Sequence, residues 1–117
     1  MKTNILKDKS YAFALRVVKL FQFLAAEKRE FVLSKQILRS GTSIGANIEE
    51  AYQGESKSDF IHKLSISNKE AFETHYWLRL LRDSEILTPK LAESLMGDCD
   101  EIQRMLVAAI KTSKTRR

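Results

Sequence analysis

The chain has 117 residues, enough for one domain with a modest core and too few for two. Hydrophobic residues make up 44% and charged residues 30%, an ordinary soluble composition, and one Pro with four Gly argues against a many-stranded β fold. The net charge is +5, and the one cysteine, Cys99, allows no internal disulfide. The start, MKTNILKDKS, lacks a signal-peptide pattern, and no apolar run approaches the ~20 residues that span a bilayer. The expectation is a soluble, cytoplasmic protein with no membrane contact.

The positive charge sits at the chain ends. Residues 1–30 carry seven basic and three acidic groups, and the tail KTSKTRR adds four basic ones. Residues 31–110 carry nine basic and twelve acidic groups, a net −3. Such ends attract phosphate, and they also serve simply to solubilise a chain.

In chain order, the first predicted helix covers about 9–26. Tyr11, Phe13, Leu15, Val17, Val18, Leu20, Phe21, Phe23 and Leu24 leave only a narrow polar strip through Arg16, Lys19 and Gln22. A surface helix of a monomer carries a single apolar stripe, so this one calls for a second, intermolecular contact.

The second helix is predicted over 34–53, with Ser34 as N-cap and Gly54 at a left-handed terminus. Here LRSGTSIGANIEEAYQG holds a helical beat. Gln36, Ser40, Ser43, Asn47 and Glu50 share one face, and Ile37, Gly41, Ile44, Ile48 and Ala51 another. Gly41 and Gly45 each cost about 1 kcal/mol in a helix interior, so the close approach of another helix has to compensate. Asn47 and Glu50 read as a partly buried polar pair bonded to a neighbouring helix and fixing register, the alternative being a recognition surface shared with Arg39 and Ser43.

Ser56 or Ser58 caps a third helix over 57–83, with Asp59 in its first turn. Its inner line is Phe60, Leu64, Ser67, Ala71, Thr74, Leu78 and Leu81. Thr88-Pro89 opens a fourth helix over 89–111, with Leu91, Leu95, Cys99, Ile102, Leu106 and Ala109 as its core line and a frayed basic tail over 111–117. The fold class is all-α: one domain, an antiparallel up-down-up-down four-helix bundle.

Motifs for catalysis are absent. The Gly41–Gly45 segment lacks the Gly-Lys-Ser/Thr of a phosphate loop and the strand that precedes a dinucleotide site. Glu70, Glu73 and His75 form an incomplete metal set on one helix, and His62 has only Asp59 three residues before it. Ser40, Ser43 and Cys99 lack a base and an orienting group, and Cys99 lies on an apolar line. No enzyme, cofactor or metal is expected. Tyr76 and Trp77, followed by Arg79 and Arg82, hint at base stacking, but the surrounding leucines favour Trp77 at an interface.

Two segments carry a resemblance. Leu38-Arg39, Ser43-Ile44 and Ala46-Asn47-Ile48 with a following acid form one. Asp59-Phe60-Ile61, Lys69-Glu70-Ala71, Glu73-Thr74 and Tyr76-Trp77-Leu78-Arg79-Leu80-Leu81 form the other. Together they resemble the small four-helix-bundle proteins encoded in intervening sequences of bacterial 23S ribosomal RNA genes. That family is similar in fold to the accessory variability protein of diversity-generating retroelements, a pentameric barrel that binds nucleic acid and a reverse transcriptase. The resemblance therefore implies a homo-oligomeric ring of five subunits. Two stretches depart from the pattern: Glu49-Glu50-Ala51-Tyr52 where many members read Ala-Glu-Gly, and Asn68-Lys69-Glu70 where many place small residues.

Two functions follow as expectations. One is RNA or DNA binding by basic residues gathered in the ring: Lys7, Lys9, Arg16, Lys19, Arg39, Lys111, Lys114, Arg116 and Arg117. The other is a protein-interaction scaffold with the basic ends incidental. In both, Ser40, Gly41, Ser43, Gly45, Asn47, Glu50, Glu73 and Trp77 are candidates for helix packing or the oligomer interface.

Overall fold

Asn4 opens the first helix: its side chain accepts the Lys7 N–H at 3.0 Å, and α1 runs Ile5–Glu27, a turn earlier than its apolar pattern suggests. The computed structural model describes residues 4–116, so Arg117 lies outside the described residues. The other helices are α2 (Leu33–Ala51), α3 (Lys57–Asp83) and α4 (Pro89–Thr115). Each packs on its neighbours in chain order, and α4 returns to α1, giving a closed four-helix bundle of 50 × 26 × 20 Å.

Several helix ends differ from the sequence reading. Ser34 does not cap α2; it is buried within the first turn, and its hydroxyl donates to the Glu30 carbonyl at 2.8 Å. The cap is the Glu30 carboxylate, which accepts the N–H groups of Val32, Leu33 and Ser34 at 3.1, 3.1 and 2.7 Å. Gly54 is not left-handed. Its role is space, because a Cβ there would stand 2.5 Å from Asp59 Oδ2 and 3.0 Å from the Ala51 carbonyl. The left-handed positions are Arg29 and Glu85, which follow α1 and α3. After α3, the Glu85 and Ile86 N–H groups close on the carbonyls of Arg82 and Leu81, both at 3.0 Å, a Schellman end without its usual glycine.

Ser56 and Thr88 do cap α3 and α4, accepting the N–H groups of Asp59 at 3.0 Å and Leu91 at 3.3 Å. Helix α4 continues through Lys111 and Lys114 to Thr115, longer than expected. On its inner line Ala92 is buried where Leu91 was expected, and Leu91 is partly exposed. The core is otherwise the apolar lines read above: Phe13, Val17, Leu24, Ile37, Ile44, Ile48, Leu64, Leu78, Leu81, Leu95, Ile102 and Leu106.

Candidate assembly and binding surfaces

The small and polar residues of α2 meet both neighbouring helices of the same chain. Toward α1, Gly41 and Gly45 are buried: a Cβ on Gly41 would lie 2.8 Å from both Val17 methyls, and one on Gly45 would lie 3.4 Å from the Ser10 carbonyl oxygen. Toward α3, Thr74 Oγ1 stands 2.9 Å from Ser40 Oγ and 2.8 Å from the Glu70 carbonyl. With one proton per hydroxyl, this reads as a relay from Ser40 through Thr74 to the carbonyl. The Ser67 hydroxyl donates to the Ile44 carbonyl at 2.8 Å. Buried hydroxyls that are all paired hold two helices in one register. The double covering of α2 is thus supplied within the chain.

Asn47 and Glu50, expected as a partly buried pair bonded to a neighbouring helix, meet that expectation only in part. Asn47 Nδ2 donates to the Ser43 carbonyl of its own helix at 2.8 Å, and the Ser43 hydroxyl donates to the Arg39 carbonyl at 2.6 Å. Glu50 is exposed and accepts from Lys63 Nζ at 2.9 Å. Asn47 is thus partly buried but bonded within α2, while the exposed Glu50 reaches Lys63 of α3.

Arg39 spans from α2 to α3. Its guanidinium contacts Glu70 Oε2 at 3.0 Å and also Glu73, whose carboxylate accepts the Trp77 indole N–H at 3.0 Å. Burial pushes the Glu73 carboxyl upward, but the hydrogen bonds from Arg39 and Trp77 outweigh it and hold the group below its ordinary range. The hydrogen bond to Glu73 in turn raises Arg39. Glu70 and Glu73, the carboxylates of the incomplete metal set, are committed to this network, while His75 Nε2 faces Asp100 at 3.3 Å. Among the described residues no group of three or more His, Cys, Asp or Glu side chains could hold a metal ion. Cys99 Sγ lies buried 3.2 Å from the Ala71 carbonyl, and burial, aided by Asp100 and Asp98, pushes its pKa up to about 12. Such a thiol stays protonated and unreactive.

The basic candidates divide. Lys7 pairs with Glu49 at 3.3 Å, Lys9 with Glu101 at 3.1 Å, and Arg16 with Asp98 at 2.6 Å. Together with Arg39 these spend their charge on carboxylates of adjacent helices. Lys19, Lys111 and Lys114 have no such partner among the described residues, and Lys57 Nζ donates to the Arg116 carbonyl. The acids that neutralise the basic residues come from distant parts of the chain, so local sequence gave no warning of them. Up-down topology does bring the beginning of α1 and the end of α4 to the same end of the bundle.

The over-apolar circumference of α1 is resolved on its outer side. Tyr11 and Leu15 are 64% and 50% exposed, and Val18 continues their row. Beside them Tyr11, Ala14, Thr42, Ala46 and Glu49 border a shallow groove of about 240 Å³ between α1 and α2. None of the described helices is long and apolar enough to cross a membrane.

No curated protein matches the chain. Among solved structures it resembles a protein of unknown function from the S23 ribosomal protein family of Bacteroides thetaiotaomicron, 57% identical, with a TM-score of 0.90 over 91% of this chain and 98% of that one. The model of the 23S rRNA-intervening sequence protein family matches residues 2–108. The bundle, its two signature helices and this match agree: the chain belongs to the 23S rRNA-intervening sequence protein family.

Proposed function

We propose that the protein acts without catalysis, as a self-assembling module whose copies pack through the outer face of α1 into a ring. The observation that carries this reading is the row Tyr11, Leu15 and Val18, apolar residues left in water on a helix whose other side is fully engaged. The adjoining groove of small residues over Ala14, Thr42 and Ala46 suits the insertion of a neighbour's side chains. Five is the number of subunits implied by the family resemblance. Leu15→Glu tests the contact: burying an unpaired carboxylate weakens association by roughly a hundredfold or more, so the variant elutes as a folded monomer where the native protein elutes as an oligomer. Unchanged elution would remove α1 from the interface.

A second reading, binding of RNA or DNA, is favoured by Lys19, Lys111 and Lys114, cations with no carboxylate partner among the described residues. Repetition round a ring multiplies weak phosphate contacts. The anisotropy of labelled RNA and DNA duplexes across a salt series is its test. Affinity falls steeply with salt and drops in a Lys111→Glu/Lys114→Glu variant if the reading holds. No binding at low salt leaves a scaffold for a protein partner.

A further inference from the structure

On the side of the bundle formed by α3 and α4 lies an open groove of about 530 Å³, within the range of small-ligand sites. Its apolar surface comes from Phe72, 64% exposed, Val107, 52% exposed, and Ala108. Arg104 and Lys111 border it, and among the described residues neither has a carboxylate within ion-pairing distance. Asp100, its one acid, is turned to His75. Asn68 lines the wall, and its Oδ1 is the sole buried side-chain oxygen or nitrogen without a hydrogen-bond partner among the described residues. An orphan of this kind costs about 1–3 kcal/mol and calls for an explanation.

We propose that this groove binds a nucleotide. An exposed phenylalanine supplies a face on which a flat base stacks, and stacking of that kind is worth about 1–3 kcal/mol per base. Arg104 and Lys111 supply the charge for a phosphate, the guanidinium in bidentate form. The Asn68 side-chain amide on the same wall supplies a polar group for the edge of the base. Each feature alone is ordinary; their meeting in one groove matches the base and the phosphate of a nucleotide. The inference goes beyond the assembly reading, and it stands apart from duplex binding because a single nucleotide carries the chemistry.

Calorimetric titration of the full chain with AMP, adenosine, ribose 5-phosphate and a short single-stranded oligoadenylate tests it. AMP is expected to bind at least tenfold more tightly than either of its parts, and Arg104→Glu and Phe72→Ala each weaken it at least tenfold. Both residues are exposed, and circular dichroism verifies that the variants fold. Tighter binding of the oligonucleotide than of AMP assigns the site to a strand, and equal binding assigns it to the free nucleotide; both support the proposal. Absence of AMP and oligonucleotide binding at millimolar concentration overturns it, as does binding that ignores both substitutions. Protection of Phe72 by self-association without any nucleotide binding overturns it too, and gives the groove to a subunit contact instead. Loss of the oligomer in Leu15→Glu, with AMP binding retained, separates the two proposals.

Discussion

Leucine in place of Gly41 will destabilise the protein by about 3 kcal/mol, a fall in melting temperature of roughly 10–20 °C. Even a single Cβ there meets both Val17 methyls at 2.8 Å. Val17 is fully buried, and its branched side chain is stiff about χ1, so it has nowhere to turn. Alanine isolates the effect. Its better helix propensity returns about 1 kcal/mol, and overpacking takes about 1–3, leaving a small net loss. Val17→Ala makes room for the alanine methyl, so the double variant should be more stable than the sum of the single changes predicts, by about 0.5–3 kcal/mol. Thermal denaturation of the four proteins measures that coupling. Additive changes would mean that α1 and α2 move apart freely at this point, and that the glycine serves another purpose.

Removal of the Glu30 carboxylate should cost about 2 kcal/mol, as Glu30→Ala or, with less disturbance, as Glu30→Gln. Val32, the residue at the N-cap of α2, offers no side-chain acceptor, and three N–H groups converge on this one carboxylate. Burial works to raise its pKa, yet the bonds from Leu33, Ser34 and Val32 prevail and hold it below the usual carboxylate range. A carboxyl group with a depressed folded-state pKa adds stability above its unfolded pKa and loses it as the pH falls through the folded value. The native protein should therefore exceed Glu30→Gln in stability at neutral pH, and the difference should close in acid as the pH falls below the usual carboxylate range. Chemical denaturation at neutral and acid pH reads this directly. A gap that persists in acid would place the contribution in packing, with no part for the ionised cap.

The sequence carried the bundle because its long helices repeat their apolar residues every three or four positions, and Thr88-Pro89 and Ser56 punctuate them locally. Helix ends shaped by tertiary contact were less legible. Glu30 reaches forward to cap α2 from outside its pattern, and the left-handed turns fall on Arg29 and Glu85 where glycine was the natural expectation. Gly41 and Gly45 signalled a close helix crossing, but spacing could not say that α1 of the same chain makes it. Local charge also misled. Lys7, Lys9, Arg16 and Arg39 looked free in sequence, yet Glu49, Glu101, Asp98 and the Glu70–Glu73 pair engage them across helices. The groove around Asn68 was invisible for the same reason, since its walls come from residues some thirty to forty positions apart on α3 and α4.

Sedimentation equilibrium of the native protein over a range of micromolar concentrations tests the assembly reading most directly. One dominant species of about five times the 13.5 kDa chain mass is expected, dissociated by Leu15→Glu with its helical content intact. A native protein that stays at the mass of a single chain at every concentration would contradict it.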